Sequence, residues 1–238
     1  MFQGFSDATF EFFMAIQFNN NTEFFHANHD WYVDAVRRPC LELAAALSGV
    51  MTAIDDAIEL RPNRVVSRIN RDLRYARDKS PYKDYIWLRL RRPADPNRAN
   101  LGFYFDISAN ESSFGMGFYE ECKPHMNGLR RRLATEPEAF MALLKPLGGD
   151  FELFMNAYKR MKLPENLPPE LRDWYAVRTF WFVQDIKDFA ILKSSALVDF
   201  LAEGFDRLTP IYRYIRDIPN ETDDDLTKIL RDRGALRF

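Results

Sequence analysis

Between Arg68 and Lys83 the chain places six cations, Arg68, Arg71, Arg74, Arg77, Lys79 and Lys83, against two carboxylates, Asp72 and Asp78. No apolar core accommodates that density of charge, because an unpaired buried ion is strongly disfavoured. The segment must lie at a surface, be clasped by carboxylates, or face an anionic ligand. The surrounding stretch has the same bias. Residues 61–92 carry 11 Lys/Arg and 3 Asp/Glu, which leaves 22 basic and 32 acidic residues for the rest of a chain whose net charge is −2. A focused positive band inside an otherwise acidic protein points to a local anion site or to internal ion pairs. It argues against nucleic-acid coating, which comes with a basic domain.

The remainder of the chain can build a core. Its 238 residues are 47% hydrophobic and include 21 Phe, 10 Tyr and 4 Trp, ample apolar surface for one large domain. Cys40 and Cys122 sit in no paired motif, which fits a reducing compartment better than a disulfide scaffold. The opening Met-Phe-Gln-Gly-Phe-Ser shows no basic region followed by an apolar run. No window approaches eighteen uninterrupted apolar residues, so no membrane partner is expected and the location expected is cytoplasmic.

Periodicity divides the chain in three. Ser6 is placed to cap a helix carrying Phe10, Phe13, Met14 and Ile16, which ends near Asn19-Asn20-Asn21. A second helix opens at Asn21 and carries Phe24, Phe25, Trp31, Tyr32 and Val36. Pro39 then marks a break or the first turn of a third, with Leu41, Leu43, Leu47, Val50 and Ile54 facing inward. The middle reads as strands at Arg64–Ile69, Ile86–Leu90, Leu101–Ile107 and Ser113–Tyr119, with a hairpin loop over Pro93–Asn100. Helices return at Pro124–Thr135 and Pro137–Leu147. Phe151–Arg160 is ambiguous, and a short helix through Leu171 and Trp174 precedes a strand at Arg178–Val183. Ser194 or Ser195 caps a long helix from Leu197 to Ile215, and Leu226–Leu230 is read as a last exposed helix or a frayed end. The fold expected is a single α+β domain over 1–238, with its core at about 5–218 and an acidic tail at 219–238. Its mainly antiparallel sheet comes from the middle of the chain and is packed by helices from both ends.

Within the basic motif, an extended segment leaving through Arg68 and Asn70 throws alternate side chains to opposite faces. Arg68, Arg71 and Arg74 can clamp a phosphoryl or carboxylate group through paired hydrogen bonds. Lys79 and Lys83 add mobile point charges, and Tyr75 and Tyr82 offer rings or hydroxyls. Asp72 and Asp78 can orient the arginines or act as acid/base groups. The simpler alternative is a salt-bridge clasp in which the same arginines meet Asp72, Asp78 or helix carboxylates such as Glu23. The motif is not a glycine-rich phosphate loop, and no cofactor is implied. For Asn20 and Asn21, capping and a tight helix connection compete with one amide reaching the arginine cluster.

The run from Arg68 to Lys83 resembles the signature Arg-x-x-Arg-Asp-x-Arg-aromatic-x-x-Asp-Lys-x-Pro-Tyr-Lys of domain-of-unknown-function family 2461. Asn20-Asn21-Thr22-Glu23-Phe24-Phe25 is similar to that family's Asn-Asn-x-x-Trp-Phe, with Phe24 in place of Trp, and Ala27-Asn28 and Tyr32 match the helix that follows. The resemblance covers about residues 5–218 and implies helix-rich ends around a sheet, but no activity. The chain departs from the pattern at Ala76, at Asp84-Tyr85-Ile86-Trp87 and at Asn166-Leu167-Pro168-Pro169, where the family has a serine, a glycine and a histidine-bearing segment respectively. The residues beyond Asp217 are an addition.

Other constellations carry less. His26 and His29 have no third ligand in view, so no metal site is assigned. His125 stands alone and is read as exposed or as a local hydrogen-bond donor. Arg130-Arg131-Arg132 is read as the solvated face of a helix, and Phe180-Trp181-Phe182 as a buried strand. The leading functional expectation is binding of a small phosphorylated or carboxylated ligand, with catalysis left open. Its rival is a structural or protein-interaction domain whose motif is the clasp and whose aromatic surfaces meet another chain.

Overall fold

Apolar residues at helical spacing fill the ends of the chain, and alternating ones fill its middle. The computed structural model, which describes residues 1–74 and 77–232, divides accordingly. Tyr75 and Ala76 lie outside the described residues. Helices α1 (Asp7–Phe18), α2 (Thr22–Ala27), α3 (His29–Tyr32), α4 (Arg38–Ala46), α5 (Ser48–Ile54) and α6 (Pro62–Val65) precede β1 (Tyr85–Arg91), β2 (Gly102–Ser108) and β3 (Ser112–Phe118). Then follow α7 (Lys123–Thr135), α8 (Pro137–Leu144), β4 (Glu152–Ala157), α9 (Arg172–Ala176), β5 (Val177–Asp185), α10 (Phe189–Leu192), α11 (Leu197–Arg216) and α12 (Asp223–Asp232). The strands form one antiparallel sheet in the order β1-β2-β3-β5-β4, so the fold is α+β. No helix among the described residues is long and apolar enough to cross a membrane.

Contacts group the chain into two compact units. The first comprises Met1–Arg91, Phe103–Phe114 and Asp185–Gly204, and the second Arg92–Gly102, Gly115–Gln184 and Phe205–Phe238.

In the first unit, α1 begins after Ser6, whose N–H donates to the Thr9 hydroxyl at 3.3 Å. Phe12, Phe13 and Ile16 are fully buried, whereas Met14, expected on the inner face, is exposed. The Thr9 hydroxyl also donates to the buried Ala35 carbonyl at 2.6 Å. That carbonyl lies four residues before Pro39, which has no N–H to offer it. A π-helical stretch, Val33–Arg37, carries the helix into α4 past the proline, which sits in the first turn. Cys40 is buried and free, its thiol pushed up to about 12 by desolvation. Residues 64–69 are not the strand expected. Pro62 nucleates the single turn of α6, and the chain then meets β1 through one isolated bridge, Val66 to Leu88.

The second unit is organised by α7. Arg130 is only 2% exposed and not on a solvated face as its triplet suggested. Its guanidinium donates to the Tyr175 carbonyl (2.9 Å), the Val177 carbonyl (2.7 Å) and Asn127 Oδ1 (2.8 Å). Arg131 pairs with Glu221 at 3.0 Å, and Arg132 lies over the Tyr214 ring. Beyond Asp217 the described residues include α12. Thr222 and Asp225 cap α12 reciprocally, and Asp223 meets Lys123 (2.5 Å) and Asn127 (2.7 Å). The ambiguous segment at 151–160 contributes β4, whose Phe154 stacks across the strand pair on Trp181.

His125 is buried too, correcting the reading of an exposed ring. Nδ1 accepts the Ala99 N–H at 3.0 Å, and Nε2 donates to the Ile215 carbonyl at 2.8 Å, which assigns the neutral Nε2–H tautomer. Burial holds this imidazole below its usual pKa. The unfolded chain therefore binds the proton more readily, so stability is full above the unfolded value of about 6.5 and declines as pH falls below it. Urea midpoints at pH 7.5 and 5.5 should separate more for the wild type than for His125→Gln. Equal separations would remove His125 as the cause.

Candidate anion site

The basic motif is a loop closed at its base by a short ladder. Arg71 N–H donates to the Pro81 carbonyl (2.9 Å) and Lys83 N–H to the Ile69 carbonyl (2.8 Å), framing an isolated antiparallel bridge between Asn70 and Tyr82. In a pair framed in this way, the central residues point their own N–H and C=O away from the partner. For Tyr82 both groups are taken by one side chain. Asn20 Nδ2 donates to the Tyr82 carbonyl at 2.9 Å, and its Oδ1 accepts the Tyr82 N–H at 3.0 Å. Asn21 accepts the Phe24 N–H at 2.8 Å as the cap of α2. The two adjacent asparagines therefore do different work, and only Asn20 reaches the motif. Asn20→Ala would orphan the Tyr82 N–H and leave the Tyr82 carbonyl with Arg71 alone, and should lower stability by roughly 1–2 kcal/mol. An unchanged urea midpoint would exclude this.

Most of the motif's charges are internally engaged. Arg71, 19% exposed in its side chain, ion-pairs with Asp78 at 3.1 Å and donates to the Tyr82 carbonyl at 3.2 Å. Arg74 binds Asp72 at 3.0 and 2.8 Å on the exposed loop, and Lys79 donates to the Leu73 carbonyl at 2.9 Å. Arg68 is exposed and has no ion pair among the described residues. The proposed pairing of Glu23 with Arg71 or Arg74 does not form, since those arginines turn to Asp78 and Asp72. Tyr82 is buried, its ring stacked on Phe25 at 4.2 Å, and so forms part of the core. Hydrogen bonds from Arg74 hold the Asp72 carboxyl down at about 2, and those from Ser80 lower that of Asp78. Neither is matched to proton transfer near neutrality.

One cation differs from the rest. Lys83 is 7% exposed, and among the described residues its ammonium has a single hydrogen-bond partner, Ser67 Oγ at 3.1 Å. It lies 4.7 Å from the centroid of the Trp87 ring and 5.6 Å from that of Tyr85. No carboxylate pairs with it among the described residues. Desolvation, then the neighbouring guanidiniums of Arg71 and Arg89, push this amine down to about 8. Arg89 itself stands over Trp87 at 5.5 Å. Lys83, Tyr85, Trp87 and Arg89 thus form a cation–aromatic row at the two-residue period of β1. Beside it, Arg71 Nε is buried with no hydrogen-bond partner among the described residues. Ser67, Trp87 and Arg89 were missed in the sequence, although the period of the assigned strand at Ile86–Leu90 placed Trp87 and Arg89 on one face.

A cavity of about 380 Å³ in the same unit is a separate place, lined by Gln17, Asp84, Tyr85, Asp106, Ser108 and Glu111. Its carboxylates repel an anion, and burial raises the Asp106 carboxyl. Tyr85 borders both features. His26 and His29 are exposed on α2 and α3, and among the described residues no three His, Cys, Asp or Glu side chains gather to hold a metal.

A search of curated proteins finds no match to this chain. Residues 8–214, which take in Asn20, the ladder, the loop and the row on β1, match the model of a conserved hypothetical protein family. The chain belongs to the conserved hypothetical protein family DUF2461.

Proposed function

We propose that this protein binds a small anionic ligand, carboxylated or phosphorylated, at the row formed by Lys83, Trp87 and Arg89 with Arg71 beside it. The observation that carries the reading is Lys83, a nearly buried ammonium beside two guanidiniums, with no carboxylate paired to it among the described residues. Like charges held together in this way repel, and an anion relieves the repulsion while supplying acceptors for the unused donors. The site is narrower than the motif. Arg74, Lys79 and Asp72 stabilise the loop, and Arg68 is left to steer an anion from outside.

The rival reading, an internal clasp with no ligand, is favoured by the Arg71–Asp78 pair and by the shared Tyr82 carbonyl. Arg71→Ala cannot separate the two, because it removes loop closure and a site cation together. Lys83→Met and Arg89→Gln leave those contacts in place. Calorimetric titration with inorganic phosphate and with oxalate at fixed ionic strength should give saturable binding. Each variant should weaken that binding by about 10-fold or more, the equivalent of one charge-assisted hydrogen bond. Flat titrations of the folded wild type, with Arg71→Ala unfolding, would establish the clasp instead.

A further inference from the structure

We infer that Lys83 is a reactive amine that forms an imine with the carbonyl carbon of a small 2-oxo acid. The inference rests on the anion site proposed above and names the chemistry that site supports. Lysines become nucleophilic at neutral pH when they are desolvated or set beside another cation, because both disfavour the ammonium form. Lys83 meets both conditions. It is nearly buried, and the groups that face it are Arg71 from the loop base, Arg89 along β1, the Tyr85 and Trp87 rings and the Ser67 hydroxyl. Arg37, whose Nη1 reaches the Ser67 carbonyl at 3.5 Å, adds a further positive charge behind that serine. Asp78 pairs with Arg71 at 3.1 Å, and no carboxylate pairs with the amine itself among the described residues. The amine's lowered pKa, about 8, leaves an appreciable neutral fraction at physiological pH.

The same guanidiniums that disfavour the ammonium suit a carboxylate, and a 2-oxo acid carries its carboxylate on the carbon next to its carbonyl. Seating that carboxylate toward the exposed Arg89 brings the carbonyl carbon to the amine's side of the row. Lys83 Nζ then attacks the carbonyl carbon, forming the C–N bond. Both amine hydrogens leave with the carbonyl oxygen as water, and a C=N bond remains. Nothing is oxidised or reduced. The other lysine of the loop base, Lys79, is exposed and engaged with a backbone carbonyl, so it provides an internal reference for ordinary reactivity.

The experiment incubates the full chain with pyruvate and cyanoborohydride near pH 7.5, then maps the reduced adducts by peptide mass. Acetone serves as the uncharged carbonyl and inorganic phosphate as competitor. Labelling of Lys83 should exceed that of Lys79 by at least about 10-fold, because desolvation and neighbouring cations favour the neutral, nucleophilic amine at Lys83. It should rise with pH through about 8, be blocked by phosphate and fall sharply with acetone. Lys83→Arg, which keeps the charge, should take no adduct at this site. Adducts spread evenly over exposed lysines, or none on Lys83, would overturn the imine. The phosphate titration on the same sample reports separately whether the anion site stands. Labelling of Lys83 that is as fast with acetone and indifferent to phosphate would overturn the 2-oxo acid as its substrate class.

Discussion

Replacing Arg130 by methionine should lower stability by roughly 3–5 kcal/mol, a drop in Tm on the order of 10 °C. The substitution approximates the volume of the side chain and removes all its donors. The carbonyls of Tyr175 and Val177 and the amide oxygen of Asn127 would then lose their hydrogen bonds from the guanidinium in a region that excludes water. Each buried acceptor left unmet costs about 1–3 kcal/mol, and relaxation keeps the total below the sum. Arg130→Lys should recover only part of the loss, because one ammonium cannot span acceptors arranged for a planar fork. A denaturation midpoint for Arg130→Met within error of the wild type would show that the three contacts contribute nothing net.

Gly128→Ala should also destabilise, although local propensity predicts the opposite. In the interior of a helix, alanine is favoured over glycine by about 1 kcal/mol. At Gly128, however, an added Cβ would overlap the Pro219 carbonyl oxygen and the Ile218 Cγ2 atom, well inside van der Waals contact. The first of these is backbone and cannot rotate aside, so α7 has to shift away from residues 218–219. Overpacking of this kind costs up to about 3 kcal/mol, and the net effect should approach that figure. Because the overlap lies at the approach to α12, limited proteolysis should cut the variant near residue 219 faster than the wild type. A stabilised Gly128→Ala with unchanged proteolysis would mean that the close approach is not maintained.

The helices and most strands were legible because their signals are local. Phe103, Phe105 and Ile107 alternate with Tyr104 and Asp106, and β2 follows from that alternation alone. Val65, Val66 and Ile69 also look like strand residues, but Pro62 imposes a helical turn just upstream and leaves only a bridge. The three adjacent arginines of α7 differ in environment because partners far away in sequence choose among them. Arg130 is selected by carbonyls at 175 and 177, and no composition signal near residue 130 carries that information. The motif at 68–83 was found for its charge, but charge could not separate its members. The loop neutralises Arg74 and Asp72 within itself. Lys83 is set apart by Ser67 and Trp87, which become its neighbours only when β1 and residues 66–70 pair.

Asn20 has one more consequence, for solubility. Strand β1 is an edge of the sheet, and residues 66–70 lie along it through the Val66–Leu88 bridge and the Ser67–Trp87 hydrogen bond. An exposed strand margin offers a row of free donors and acceptors that a second polypeptide can pair with, which is how many sheets begin to aggregate. Here the outward N–H and C=O of Tyr82 are met by an amide side chain, which imitates one rung of a further strand but cannot extend into another. That rung lies on the side of the strand away from residues 66–70, the side on which β2 runs, so the amide is a stopper that ends the ladder beyond β2.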